Sequence, residues 1–197
     1  MGIILLDIGN VIVEVDFNKF CSSVSLHGAA GAETLFHRYC VSEVKLMFDK
    51  GLVAPAEYLS MIAGDPDIRR MPVNELKTAW QDIFTLKEGI EDALLRFRDR
   101  HAIWITSDTD PLHFTFLLNN FPVLKQADRY LLSYEHGYLK REPGAFHQIL
   151  GSVCSRQPDE FLLIDDREDN CRCADACGIP AHLFTGWTRA FEELGDF

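Results

Sequence analysis

Apolar residues along this chain fall into short unbroken runs, separated by longer stretches where they recur every three or four positions. Residues 2–7 open the series as an apolar run that ends on a carboxylate, Asp7. A second run covers 102–106 and stops at Ser107, and a shorter third covers 129–132. A fourth covers 161–164, ending at Asp165, and a fifth covers 180–184. Continuous apolar runs of this length suit parallel strands covered on both faces. Helical spacing fills the gaps. Residues 87–100 carry Ile90, Leu94, Leu95 and Phe97, and residues 112–120 follow Pro111, a residue favoured in a first helical turn. Residues 143–153 carry Phe146, Ile149 and Leu150, and 168–177 runs up to Gly178, a good stop. The alternation predicts an α/β fold, a parallel sheet with helices on both faces.

One interval breaks the rhythm. Residues 17–85 show helix-like stretches punctuated by Gly51, Pro55, Gly64, Pro66 and Pro72, with no strand pattern. The interval lies between the first and second strands, so the chain leaves the sheet and returns. This predicts a core domain of residues 1–16 and 86–197 and an inserted helical cap of 17–85. Tyr39, Phe48, Trp80 and Phe84 either line a pocket or pack the cap, and packing is the commoner fate.

Composition narrows the partners. Of 197 residues, 47% are hydrophobic and 25% charged, which suits one globular domain with an insertion. No apolar run approaches the roughly 18 residues of a membrane span. No basic residue precedes the first apolar run and Asp7 interrupts it, unlike a signal peptide; the expected location is cytoplasmic. The net charge of −11, from 30 acids and 19 bases, argues against nucleic acid. A small anionic substrate needs only a local positive site. Nothing in the pattern sets an oligomeric state. The six cysteines (Cys21, Cys40, Cys154, Cys171, Cys173 and Cys177) read as reduced thiols, because the chain is too long and too rich in apolar residues to depend on disulfides. On a helix Cys173 and Cys177 share a face while Cys171 points away, which disfavours a metal cluster. No pair of histidines has the i, i+4 spacing of a metal site.

In open parallel sheets, ligands bind at the carboxyl ends of the strands. Those ends carry Asp7; Ser107 and Asp108; Lys140 a few residues past the third strand; and Asp165 with Asp166. One polar exit residue means little, but this combination suits phosphoryl transfer. A carboxylate attacks phosphorus, giving an aspartyl-phosphate. A hard cation held by carboxylates, a lysine and a hydroxyl cancel the repulsion between two anions.

These residues resemble the haloacid dehalogenase (HAD) superfamily of phosphohydrolases over nearly the whole length, in order. LLDIGNVIVEVD resembles the first motif, with Asp7 as nucleophile, and IWITSD the second, with Ser107 as phosphate donor. GYLKREPGAF is similar to the third, with Lys140, Pro143 and Phe146 in place, and LLIDDREDN to the fourth, with Asp166 as metal ligand and Asp165 behind it. The resemblance implies a Rossmann-like sheet in the order 3-2-1-4-5 with an inserted helical cap. It also implies Mg²⁺ held by Asp7, the Gly9 carbonyl and Asp166, and substrate contacts from Ser107, Asp108, Lys140 and Asn10. Asn170 either steadies the fourth loop or sits on a helix surface. Two positions depart from the family pattern: Asp108 stands where many relatives have Asn, and Arg141 replaces the usual Pro.

Gly9 occupies the place where many relatives carry a second acid that protonates the leaving group, help typically worth ~10²–10⁴ in rate. The D-x-G-N-V form resembles a subgroup that includes phosphatases of α-D-glucose 1-phosphate, whose anomeric leaving oxygen needs less protonation. Glu14, Asp16 and Asp165 are the candidate side-chain surrogates, and a metal-bound water is the further alternative. The expected function is therefore a Mg²⁺-dependent phosphatase of a small phosphorylated metabolite, such as a sugar 1-phosphate. The competing readings are a metal-independent 2-haloacid dehalogenase, in which Asp166 has no use, and a non-catalytic phosphometabolite-binding protein. A signalling receiver domain shares some of these residues, but its acid pair belongs after the first strand.

Overall fold

Ile3, Ile4, Leu5 and Leu6 are almost fully buried, and they alternate between two separate apolar cores. Ile4 and Leu6 join Ile103, Ile105, Leu162 and Ile164 on one face; Ile3 and Leu5 join Trp104, Phe161 and Leu163 on the other. A strand covered on both faces needs no polar positions, which accounts for the continuous run. The computed structural model describes residues 2–151 and 157–194. Cys154 and the end of the helix expected over 143–153 lie outside the described residues.

The strands are β1 (Ile3–Leu6), β2 (Val13–Val15), β3 (Phe84–Leu86), β4 (Ala102–Ser107), β5 (Arg129–Leu132), β6 (Phe161–Asp165) and β7 (Ala181–Leu183). Five of them form one parallel sheet in the order β5-β4-β1-β6-β7. Counted within that sheet, the order is 3-2-1-4-5. One face packs against α6 (Ile90–Arg98), α7 (Pro111–Asn120) and α11 (Trp187–Leu194); the other against α9 (Ala145–Gly151) and α10 (Glu168–Ala176). Pro111 opens α7, and the Asp110 carboxylate accepts from the backbone of Leu112 and His113 at 3.0 and 2.9 Å. After α10, Gly178 adopts φ +80° and the Ile179 N–H returns to the Ala174 carbonyl at 3.0 Å. Leu95, counted above with the apolar face of α6, is exposed; Ile90, Ala93, Leu94 and Phe97 form the buried stripe.

Residues 17–85 contribute α1 (Phe17–Val24), α2 (Ala29–Leu35), a π-helical turn (Phe36–Cys40), α3 (Glu43–Asp49), α4 (Pro55–Ala63) and α5 (Val73–Gln81). They gather around Phe20, Phe48, Tyr58 and Trp80, all fully buried, in a cluster that also takes in Leu112 of α7. The expectation of no strand here needs correction. Phe84 and Thr85 belong to β3, which pairs antiparallel with β2 through Val13 to Leu86 and Val15 to Phe84. Three-residue strands are too short to show a period. This ribbon is the stem through which the chain departs and returns, and the Asp16 N–H to Ile83 carbonyl bond of 2.9 Å extends it.

The insert docks on the sheet domain where α3 meets α8 (Ser133–His136). The Ser133 hydroxyl donates to the Asp49 carbonyl at 2.5 Å, and Lys50 pairs with Glu142 at 2.9 Å. Gly51, at φ +71°, lies so close that a Cβ would collide with the Tyr134 carbonyl. No helix among the described residues is long and apolar enough to cross a membrane.

Candidate active site

In the sheet register, Leu6 sits beside Ile105 on one side and Ile164 on the other. The residues that follow therefore emerge together: Asp7 after β1, Ser107 at the end of β4, Asp165 at the end of β6 and Asp166 next to it. The Asp7 N–H still bonds the Ile164 carbonyl at 3.0 Å, so its position is set by the ladder. The turn after α8 delivers Lys140. There the Glu142 N–H bonds the Leu139 carbonyl at 2.9 Å, and the Glu142 carboxylate accepts from the Leu139 N–H at 3.1 Å.

Lys140 is 2% exposed, and its three protons have three acceptors. Nζ donates to Asp7 Oδ1 at 2.5 Å, to Asp165 Oδ2, and to the Thr106 carbonyl at 3.3 Å. Burial opposes the charge, but Asp165, Asp7 and Asp108 outweigh it and hold the ammonium well above the usual lysine range. Asp165 is fully buried and saturated. Besides Lys140 it accepts from Asn170 Nδ2 at 3.0 and 3.1 Å and from the Arg167 N–H at 2.9 Å. Asn170 is thus a buried support for the fourth loop, the first of its two alternatives. Asp166 is more open, and its Oδ2 takes one hydrogen bond, 2.9 Å from Asn10 Nδ2. Asn10 adopts φ +55°, a left-handed conformation that asparagine tolerates and that aims its amide at this acid.

Asp7 is 6% exposed, and burial pushes its carboxyl up to about 8; Lys140 counteracts, while Asp165 and Asp166 add to the rise. Asp7, Asp165 and Asp166 each offer an oxygen within 4.8 Å of the others, the one such group of acids, histidines or cysteines among the described residues. Three carboxylates against one ammonium leave negative charge poorly solvated. An all-oxygen donor set of this kind fits a hard divalent cation such as Mg²⁺. With Asp165 saturated by protein donors, Asp7 and Asp166 are the side chains free to face such an ion.

Asp7, Gly9, Asn10, Ser107, Asp108, Lys140 and Asp166 all line one cleft of about 690 Å³. At Gly9 a Cβ would meet only Val15 Cγ2 at 3.7 Å and Asp7 Oδ2 at 3.9 Å. Of the three candidate surrogates, Glu14 turns to Lys87 at 3.5 Å and does not line the cleft, and Asp165 is saturated. Asp16 lines the cleft, with Oδ1 capping α1 through the Lys19 N–H at 3.2 Å. The two departures from the family pattern meet each other. Asp108 Oδ1 accepts the Lys140 N–H at 2.9 Å, and Oδ2 faces the Arg141 guanidinium at 3.6 Å. Of the four aromatic candidates, Phe84 lines the cleft while Tyr39, Phe48 and Trp80 pack inside the insert. Sequence reasoning missed Thr109, Lys45 and Asp49, which also line the cleft. Only the i, i+4 spacing of the last two was visible, and it also describes an ordinary surface pair.

No family model matches the chain. It is 25% identical over 183 residues to a D-ribitol-5-phosphate phosphatase of Bacteroides thetaiotaomicron, covering 89% of this chain and 88% of that protein. A crystal structure of a HAD family enzyme from Bacteroides thetaiotaomicron matches with a TM-score of 0.83 at 25% identity, over 97% of this chain and 98% of that one. In fold and in the residues of this cleft the chain is similar to HAD-superfamily enzymes. A crystal of the HAD family enzyme in complex with magnesium and inorganic phosphate gives a TM-score of 0.81 at 25% identity, over 97% and 99% of the two chains. The similarity agrees with the sheet order and with the meeting of four strand-end loops at one cleft.

Proposed function

We infer that the chain is a Mg²⁺-dependent phosphatase that hydrolyses the phosphomonoester of a small polyhydroxylated metabolite, through an aspartyl-phosphate on Asp7. The meeting of Asp7, Lys140 and Asp166 in one cleft at the carboxyl edge of the sheet carries this reading. The similar proteins support it: one is a phosphatase of D-ribitol 5-phosphate, another was crystallised with magnesium and inorganic phosphate. Asp7, Asp166 and the Gly9 carbonyl would hold the ion, which supplies the positive charge that lets a carboxylate approach a phosphoryl group.

Lys140 occupies Asp7 Oδ1, so Oδ2 is the oxygen left to attack. In the first half-reaction that oxygen bonds to phosphorus and the bond from phosphorus to the leaving oxygen breaks, its electron pair staying on that oxygen. The proton the leaving oxygen needs comes from water in the cleft, because Gly9 has none to give. In the second, water attacks the phosphorus and gives up a proton to the hydroxide left by the first, the bond to Asp7 breaks with its electron pair staying on Oδ2, and the carboxylate and inorganic phosphate are released. Ser107 donates its hydroxyl to a phosphoryl oxygen. Asn10 orients Asp166, Asp108 fixes the Lys140 loop, and residues 17–85 act as the cap that excludes water.

Two leaving groups suit the site. The absent acid at Gly9 favours an anomeric oxygen, hence a sugar 1-phosphate; the ribitol-5-phosphate relative favours the terminal phosphate of an alditol. Attack on a carbon–halogen bond has no use for a crowd of three acids, and no observation favours it. The test is a Mg²⁺ screen over sugar 1-phosphates, sugar 6-phosphates and pentitol 5-phosphates, with Asp7→Asn as control. Turnover on at least one ester is expected, abolished in Asp7→Asn and by chelation, and restored by Mg²⁺. Activity that persists in either condition refutes the reading.

A further inference from the structure

A second set of buried charges lines the same cleft from the insert's side. Lys45 and Asp49 lie one turn apart on α3, 5% and 7% exposed. Lys45 Nζ donates to Asp49 Oδ1, lies 3.5 Å from Asp110 Oδ2, and sits 5.8 Å from the centre of the Trp80 ring. Asp110 pairs with His113 Nδ1 at 2.8 Å, and the other ring nitrogen of His113 meets the Trp80 carbonyl at 2.8 Å. Asp110 and His113 are therefore engaged with one another and with the backbone, and Lys45 is held between Asp49 and Asp110. Asp49 differs. Lys45 takes Oδ1, while Oδ2 has no hydrogen-bond partner among the described residues and is not sealed from the cleft.

Burying an ion pair carries a large desolvation penalty that apolar residues of the same size avoid. Packing alone gives no reason for charges here. We propose that Asp49, held by Lys45, is the specificity-determining residue for the leaving group and accepts hydrogen bonds from the hydroxyls of a polyol or sugar. The assignment rests on the phosphatase reading above and deepens it. Lys45 cancels the charge of Asp49 locally, so the pair does not select an ionic group; what it presents is an acceptor for neutral donors. Phe17, Phe36, Val41 and Leu46 line the cleft as well and suit the carbon faces of such a molecule. Burial raises the Asp49 carboxyl to about 6, with Lys45 opposing the rise, so it remains an ionised acceptor at neutral pH. An acceptor left unmet also rejects esters that lack hydroxyls.

The experiment compares a pentitol 5-phosphate with p-nitrophenyl phosphate in the wild type and in Asp49→Asn, with Mg²⁺. The ratio of their kcat/KM values is expected to drop about 10- to 100-fold in the variant, the effect of losing hydrogen bonds to a charged group, mostly through KM for the polyol ester. Asp49→Glu is expected to recover part of the ratio. An unchanged ratio, whether both activities fall together or neither falls, overturns the assignment and leaves Asp49 as a cap contact. If Asp49→Asn does not fold, the wild type answers with pentitol 5-phosphate against n-pentyl phosphate: equal kcat/KM values overturn the proposal. A wild type that turns over none of these esters overturns the phosphatase reading itself, an outcome visible before any variant is made.

Discussion

Gly9→Asp tests the chemistry of the missing acid. A Cβ at this position meets Val15 Cγ2 at 3.7 Å and Asp7 Oδ2 at 3.9 Å, both ordinary contacts, and the Gly9 φ lies outside the left-handed region. The side chain therefore enters without steric cost or backbone strain. Its carboxyl arrives beside Asp7. A like charge at about 4 Å costs about 4 kcal/mol at an effective dielectric of about 20, which pushes the new group toward its protonated form, with Lys140 opposing. Protonated is the form that donates to a leaving alkoxide. A positioned acid adds ~10²–10⁴ in rate where the leaving group needs a proton. The expected result is a gain of about 100-fold or more in kcat for a primary alkyl phosphate, with a far smaller gain for sugar 1-phosphates and p-nitrophenyl phosphate, whose oxygens leave readily unprotonated. Steady-state kinetics with Mg²⁺ over an ester series of increasing leaving-group basicity measure it. An equal gain on every ester, or none on the alkyl ester, refutes the argument.

Lys140→Met leaves Asp7 and the fully buried Asp165 without their counter-charge, so a loss of about 3–5 kcal/mol is expected in urea unfolding; an unchanged midpoint contradicts the assigned pairing. Arg141→Ala is expected to raise KM for phosphate esters by leaving Asp108 uncompensated, and the same change made on an Asp108→Asn background is expected to have little effect; a double-mutant cycle gives a coupling of about 1 kcal/mol, and strict additivity counts against it. His182, buried on β7, is held below the ordinary histidine value, mainly by burial, with Glu193 opposing. As pH falls below about 6.5 the unfolded chain binds a proton that the folded chain resists, so stability is lost on the acid side. His182→Gln is expected to narrow the difference in Tm between pH 7.5 and 5.5, and an unaltered difference rejects that cause.

What was legible in the sequence follows from how local the physics is. β1, β4 and β6 carry apolar residues toward both cores, so each announces itself without any partner in view. The strand-end residues Asp7, Ser107, Asp165 and Asp166 could be named for the same reason, since the edge of a parallel sheet collects them. The β2–β3 ribbon escaped because three residues a side carry no period, and the pairing of Val15 with Phe84 spans the whole insert. The division of labour between the adjacent acids is decided by Lys140 and Asn170, whose amide and ammonium reach Asp165 only in three dimensions. Lys45 and Asp49 share only an i, i+4 spacing in the sequence, and the approach of α3 to the N-terminus of α7 is what buries them beside Asp110.

The contact between Asp108 and Arg141 constrains the order in which the two positions can change. Arginine alone is harmless, because its side chain keeps access to solvent and finds water when no anion faces it. Aspartate alone places an unbalanced anion beside the phosphate pocket. Losing Arg141 first therefore strands the Asp108 carboxylate, whereas losing Asp108 first leaves an arginine that water satisfies.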